Sequence, residues 1–457
     1  MKDRKTGAHR WGDITDIPEP DDGGQLERGK KPVALHRKNA SMKYWKKLPH
    51  KELDRRITEA LNNNIDYNAR MSLGIPASKL DPNVFNDQAT FLKDAPLLRT
   101  YVQNPNHIGC HTLGDSEIFF KGTQELEQEA IELISTDILK AEAGSCDGYI
   151  ASGGTEANIQ AAWIYRNYFM QEEGAAHEEI ALIGSEDTHY SIAKAANLLN
   201  LKWYQVAVDE TTRMMATEAL DATIVKAKNE GIKHFIVISN MGTTMFGSID
   251  DVDTYAAAMI AHGVGYKIHV DGAFGGFIIP FATKDHNADF SNPNVSSITL
   301  DAHKMLQAPY GTGIFIVRKG WMKYVFTKEA SYVNGMDITL SGSRSGANAI
   351  AVWMILFTYG PFGWLEKINK LIYRTEWCCN ELKKLGIPFY NRKGMNIITM
   401  KAEGFPAWLA EKYGLVPDAH HDAARWYKIV VMDHVELDAL QSFIQELTTA
   451  INNTDKV

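Results

Sequence analysis

Lys304 stands just past Ser297-Ile298-Thr299-Leu300-Asp301, an apolar run that reads as a buried strand ending on an acid. A lysine at the carboxyl end of such a strand meets ligands in the crevice where α/β sheets bind them. Upstream, Asp271 closes a second strand candidate and is followed by the small residues Gly272-Ala273 and by Gly275-Gly276. An amine and an acid in these positions are the two groups that pyridoxal phosphate chemistry needs. The lysine carries the cofactor, and the acid keeps the pyridine nitrogen protonated. Taken singly, each residue reads more plainly as a snorkelling lysine or a turn-capping aspartate.

A third stretch shifts that balance. Ser152-Gly153-Gly154-Thr155-Glu156-Ala157-Asn158 runs into a helical pattern over 159–166. Glycines let the backbone approach a ligand closely, and a first helical turn offers free N–H groups and a positive dipole end to a phosphate. On its own the stretch reads more plainly as a loop with Thr155 as the helix N-cap.

The segments SGGTEAN, HVDGAFGG and SITLDAHKM, in this order and at these spacings, resemble the group II pyridoxal-phosphate-dependent amino acid decarboxylases. That group includes the glutamate, aspartate, tyrosine and aromatic amino acid decarboxylases, with sphingosine-phosphate lyase more distant. The likeness covers about 104–432 and is nearest to the short tyrosine/aspartate-type members. It implies an α/β chain of fold type I, aspartate aminotransferase-like, with a mostly parallel central sheet, helices on both faces and a small C-terminal α+β domain. The implied activity is decarboxylation of a small L-amino acid, aromatic such as tyrosine or acidic such as aspartate or glutamate, to the amine and carbon dioxide. A carbon–carbon lyase or an aminotransferase is the alternative on the same fold.

Carried over residue by residue, the resemblance places pyridoxal 5'-phosphate on Lys304, with Asp271 at the ring nitrogen, His189 stacked on one ring face and Ala273 on the other. Gly153, Gly154 and Thr155 would hold the phosphate, joined by His303 and by Ser343 of a second subunit, so that a homodimer shares its sites. Thr244 would bond near the cofactor hydroxyl or the substrate carboxylate. Lys428 stands where relatives commonly have arginine to hold a carboxylate; lysine keeps the charge without the bidentate fork. Arg425 is near enough in sequence to compensate. Tyr332, in a loop over 328–339 shorter than that of the aromatic enzymes, is the candidate proton donor. His107 and His111 fall in a stretch, 104–112, that resembles the substrate entrance.

Positioning these groups takes a large core, and 457 residues at 45% hydrophobic and 23% charged supply one. A net charge of -8 leaves no footprint for nucleic acid or an anionic membrane, although 28–47 is locally basic. The start of the chain lacks an apolar signal region, and no stretch reads as the roughly 20 apolar residues a membrane helix needs, so a cytoplasmic location is expected. Four cysteines, Cys110, Cys146, Cys378 and Cys379, are too few and too irregular for a disulfide framework. His107, Cys110 and His111, like His420-His421, lack a second ligand pair at zinc spacing, so no metal site is expected.

Residues 1–45 are polar and interrupted by proline and glycine, which reads as an extended arm. Leu53, Ile57 and Leu61 predict a short helix over 51–64, and the pattern over 122–141 predicts a longer one. Strands are predicted at 180–183, 203–208, 234–239, 266–271, 297–301 and 313–317, separated by helical patterns such as 217–228 and 253–262. Continuous apolar runs of this kind point to a mostly parallel sheet covered on both faces. Beyond Gly342-Ser343-Arg344-Ser345-Gly346 a long helical region follows, then strands at 395–400 and 427–432 and a closing helix over 436–452. The chain divides into an N-terminal arm and helical segment (1–100), a large cofactor-binding α/β domain (101–344) and a small α+β domain (345–457).

Overall fold

The computed structural model describes residues 45–65, 73, 81, 83–86, 88–103, 119–330 and 334–454. His107, His111 and Tyr332 lie outside the described residues, as does the expected arm up to residue 44. Strands β1 (Cys146–Ala151), β2 (Ile180–Ser185), β3 (Lys202–Val206), β4 (His234–Asn240), β5 (Gly265–Asp271), β6 (Val295–Asp301) and β7 (Gly313–Arg318) form one seven-stranded sheet in the order β1-β7-β6-β5-β4-β2-β3. The pairs from β6 through β3 are parallel, and β7 alone runs antiparallel to both its neighbours.

Successive residues along a strand face opposite sides, and here both sides are core. In β4, Phe235 and Val237 join one hydrophobic cluster while Ile236 and Ile238 join the other; in β7, Ile314 and Ile316 oppose Phe315 and Val317 in the same way. That double burial is why these strands read as unbroken apolar runs. The strand that the sequence hid is β1, because Asp147 and Gly148 both disfavour strands. Tertiary pairing overrides the preference: every β1 residue is buried, and the Asp147 carboxylate accepts the Gly320 N–H at 3.1 Å.

Helices α1 (His50–Asn63), α2 (Pro96–Gln103), α3 (Lys121–Leu133), α4 (Gly154–Glu172), α5 (Ser191–Leu199), α6 (Thr217–Asn229), α7 (Val252–Ala261), α8 (Ile279–Ala282) and α9 (Gly346–Lys384) accompany this sheet. In α1 the buried residues are Leu53, Ile57 and Ala60, one face at helical spacing. A second sheet of β8 (Phe389–Tyr390), β9 (Ile397–Lys401), β10 (Val416–Pro417) and β11 (Trp426–Val430) is antiparallel in the order β10-β11-β9-β8. With α10 (Ala407–Lys412) and α11 (Leu437–Thr454) it encloses a third cluster, which includes Cys378, Leu382, Ile398, Leu409, Ile429 and Phe443.

One helix, α9, corrects the expectation that nothing in the chain matches a membrane span by length and composition. Its apolar face serves the core instead: Trp353, Leu356, Trp364, Ile368 and Leu371 are all buried against the large cluster. The helix is also broken, at Gly360 (φ 63°, ψ -178°), ahead of Pro361. Proline has no N–H for the carbonyl four residues back, and the chain ahead of α1 makes up the loss. Leu48 N–H donates to the Phe357 carbonyl and Trp45 Nε1–H to the Leu356 carbonyl, both at 2.8 Å. A side chain at Gly360 would lie 2.8 Å from Lys47, so this close approach requires glycine.

Gly313 begins β7 opposite both Ala151 and Asp301. A Cβ there would stand 2.4 Å from the Gly153 backbone, pushing the glycine loop off the sheet. Gly313→Ala is therefore expected to destabilise the protein by about 1–3 kcal/mol, the usual scale of overpacking. Urea unfolding reads this as a lower midpoint at unchanged slope; a wild-type midpoint would show that the approach is not tight.

Candidate active site

Two adjacent strands end on acids at the same edge of the sheet, β5 on Asp271 and β6 on Asp301, and the amino end of α4 faces them. Gly153 is the N-cap of α4 and no side chain caps this end. Glu156, in the first turn, instead reaches back to Ser152, accepting its N–H at 2.9 Å and its hydroxyl at 2.6 Å. Gly154 presses on the acid of β6: a Cβ there would lie 2.9 Å from Asp301 Oδ2. Glycine at this point brings the helix end, with its free N–H groups, down to the strand ends.

Lys304 Nζ sits 3.0 Å from Asp301 Oδ2, and His303 Nε2 lies 3.6 Å from the same oxygen. The other Asp301 oxygen, Oδ1, and His303 Nδ1 are buried without a hydrogen-bond partner. Buried polar atoms are rarely left bare in folded proteins. Two of them stand here beside an uncapped helix end and a lysine, where a polar ligand could supply the missing partners. A phosphate-bearing aldehyde fits this donor set: N–H groups and an imidazole for the anion, an amine for the carbonyl carbon.

Asp271 is held from two sides. Its Oδ1 accepts the Ala273 N–H at 3.1 Å and its Oδ2 accepts Asn158 Nδ2–H at 2.8 Å. The Ala273 carbonyl in turn accepts the Asp301 N–H at 3.1 Å, tying the two strand ends together. His189 lies in the turn before α5, with Nδ1 2.9 Å from Ser191 Oγ. Burial lowers the His189 pKa; Asp271 opposes that effect and Lys304 adds to it, so the three groups share one neighbourhood.

From the second sheet, Lys428 on β11 donates Nζ–H to the Thr244 carbonyl at 2.8 Å. Its pKa is lowered by burial and then by the charge of Lys304, so the two amines feel one another. Thr244 is exposed and meets Lys428 through its backbone, while Thr243 is the buried, hydrogen-bonded threonine of the pair. Arg425 corrects an expectation: its side chain is 84% exposed and pairs with Asp418 at 3.4 Å, so it does not reinforce Lys428. Ser343 is exposed, and among the described residues no hydrogen bond or ion pair joins it to the Lys304 cluster. Its neighbour Arg344 is buried in an ion pair with Glu127 and faces the Tyr149 ring.

Beneath the cluster lies a buried polar network that sequence reasoning leaves unassigned. Tyr165 Oη–H donates to Ser297 Oγ at 2.6 Å, and Ser297 Oγ lies 2.7 Å from His269 Nδ1. His269 Nε2 is 2.9 Å from Asn158 Oδ1 and 3.1 Å from Thr299 Oγ1. Asn158 Nδ2 also donates to Ser191 Oγ at 2.9 Å. The signal available in the sequence is strand alternation, which puts His269 on the same face of β5 as Asp271.

Comparison with known proteins bears on the family and the fold. Residues 122–390 match the pyridoxal-dependent decarboxylase conserved domain. The chain is similar to a tryptophan decarboxylase of Clostridium sporogenes, 54% identical over 89% of this chain and 97% of that protein. It is also similar to an L-aspartate decarboxylase of Thermococcus kodakarensis, 34% identical over 73% of this chain and 84% of the relative. Among solved structures, Oryza sativa TDC with PLP and tryptamine superposes with a TM-score of 0.68 at 14% identity, covering 89% of this chain and 99% of that one. A Lactobacillus brevis glutamate decarboxylase gives 0.64 at 20% identity, over 95% and 98%. The architecture is thus fold type I.

Burial lowers the His269 pKa from 6.5 to about 4. A base depressed in the folded state stabilises the protein above its unfolded pKa, and that contribution is lost as pH falls from about 6.5 towards 4. The loss amounts to about 3 kcal/mol, because each tenfold change in proton affinity is worth about 1.4 kcal/mol. Unfolding free energy measured at pH 7 and pH 4 should drop accordingly, and His269→Gln should flatten that part of the slope. An identical slope in the variant would remove His269 as its source.

Proposed function

This chain belongs to the pyridoxal-dependent decarboxylase family, and on that premise we propose that it removes carbon dioxide from an aromatic L-amino acid, tryptophan before tyrosine, leaving the amine. The observation that carries the choice is the 54% identity to a tryptophan decarboxylase across nearly its whole length. A carboxylate side chain, as in the L-aspartate decarboxylase, is the second reading, supported by 34% identity and by a lysine, Lys428, that such a side chain could pair with.

Pyridoxal phosphate, when bound, supplies an aldehyde for the amine and a protonated ring that accepts the electron pair left as carbon dioxide departs. Lys304 Nζ, which rests against Asp301, carries the aldehyde. Asp271 keeps the ring nitrogen protonated, since an acid at hydrogen-bond range favours the charged form. Gly153, Gly154 and Thr155 at the uncapped end of α4 would hold the phosphate together with His303, and His189 and Ala273 would hold the ring. Lys428 holds the substrate carboxylate, Thr244 bonds the cofactor hydroxyl or that same carboxylate, and His107 and His111 are the further residues proposed for substrate binding. The net reaction places one proton on the carbon that loses carbon dioxide, and Tyr332 is the proposed donor.

The same reading includes a homodimer in which Ser343 completes the partner's site, which fits its exposure and the lack, among the described residues, of a hydrogen bond or ion pair to the cluster in its own chain. It keeps the division of the chain at residues 100 and 344. Cys146, Cys378 and Cys379 are free and buried, with burial pushing their thiols up to about 11, 12 and 12, which suits a reducing, cytoplasmic setting.

Assayed against the common L-amino acids, the holoenzyme should release carbon dioxide and form tryptamine most efficiently. A keto acid or aldehyde product would overturn the reading. Lys428→Met should weaken turnover of tryptophan, tyrosine, aspartate and glutamate alike, by roughly 30-fold or more in kcat/KM, the scale for breaking a charge pair to a carboxylate. Loss confined to the two acidic substrates would assign Lys428 to a side-chain carboxylate instead.

Subunit sharing has its own test. Lys304→Ala and Ser343→Glu proteins, each inactive alone, should regain activity when mixed and reassembled, because one site in the mixed dimer then draws both native residues. Inactive mixtures, with exchange confirmed by mass, would place Ser343 in the site of its own chain or outside it.

A further inference from the structure

The side-chain contacts of the buried network under Asp271 fit together in one set of proton positions. A carboxylate accepts, so the Asn158 amide must turn its nitrogen to Asp271 and its oxygen to His269. His269 Nε2 must then carry the hydrogen. Its pKa of about 4 leaves the ring neutral, so Nδ1 is bare and accepts the Ser297 hydroxyl, whose oxygen is free to accept from Tyr165. The second N–H of Asn158 goes to Ser191 Oγ, and the Ser191 N–H points at His189 Nδ1 at 3.3 Å. Asn158, 1% exposed, thus spends all three of its polar contacts on β5 and on Ser191, which opens α5 and meets His189.

We propose that Asn158 is a positioning residue for the reaction, whose carboxamide fixes the Asp271 carboxylate and links it to the His189 turn, and which His269 holds the right way round. The inference rests on the reading that Asp271 serves the ring nitrogen. With Ala273 N–H on one oxygen and Asn158 on the other, the carboxylate has no freedom to rotate away from its ligand. No other side chain on α4 bonds Asp271 in this way. Asn158 lies 113 positions away in the chain and is silent in any local reading of the strand.

Two variants separate positioning from mere packing. Asn158→Leu keeps the volume and removes the donors; in the holoenzyme kcat should fall about ten- to a hundredfold with KM little changed, as expected when a buried hydrogen-bonding group loses its partner. The cofactor-free chain should also bind pyridoxal phosphate several-fold more weakly, read by fluorescence titration. Asn158→Asp sets a second carboxylate 2.8 Å from Asp271. Two carboxylates that close cannot readily both ionise, so the proton they share stands in for the amide donor, and kcat should fall as pH rises and that proton leaves. The other titratable groups around this point are His269 on β5, His189 before α5, Lys194 on α5, Asp301 at the end of β6 and Lys304 after it. Equal, pH-independent losses in both variants, matched by lower unfolding midpoints, would reduce Asn158 to a packing residue. Should either variant fail to fold, Asn158→Ser, which retains one hydroxyl donor, is expected to fall between wild type and the leucine form in both kcat and cofactor affinity. If Asp271→Asn abolishes turnover while the Asn158 variants behave as wild type, the positioning role alone fails; if Asp271→Asn is fully active, the role of Asp271 fails with it.

Discussion

A carboxylate buried at the end of a central strand is the constraint on which this structure turns. Taking Asp271 out of water demands hydrogen bonds that cannot come from solvent. The chain meets that demand with a backbone N–H two residues on and a side chain from a helix that crosses the sheet edge. Once Asn158 is committed, His269, Ser297 and Tyr165 must follow in sequence, each 0% exposed and each needing a partner of the opposite kind. The polar core under the site is therefore less a set of separate bonds than one ordered string.

The sheet arrangement makes that string possible. Because β5 and β6 run parallel side by side, their acids arrive at the same edge, and the loop after β6 brings Lys304 back over Asp301. The antiparallel β7 closes the edge from the other side, with Gly313 giving room for the glycine loop. The second sheet contributes one residue to this neighbourhood, Lys428, whose strand is fixed by Thr399 and Val416 on either side. A movement of the small sheet relative to the large one would shift the amine at Lys428 and leave Lys304 where it is.

Much of this is legible in the chain. Lys304, Asp271 and the glycines before α4 can be singled out because each breaks an otherwise apolar or helical run at its end, and strand ends are where α/β sheets bind ligands. Asn158 and His269 are not legible, although they sit inside SGGTEAN and HVDGAFGG. Their role depends on pairing between segments far apart in sequence, and one residue's face says nothing of what the other presents. Arg425 misleads for the converse reason: proximity to Lys428 along a strand alternates sides and here ends at the surface on Asp418. Strand β1 is masked by its own composition, since only its pairing with β7 makes Asp147 and Gly148 acceptable there.

The break in α9 carries a consequence for how the chain can be cut. Leu48 donates to the carbonyl that Pro361 leaves open and Trp45 to the carbonyl before it, so a few residues ahead of α1 are in effect part of a helix some three hundred positions later. A protease that clips between Leu48 and His50 would free those carbonyls inside the core, each worth about 1–3 kcal/mol when left bare. Damage at the amino end would then surface as heat lability in the carboxyl half, in the helix that leads from the large sheet to the small one.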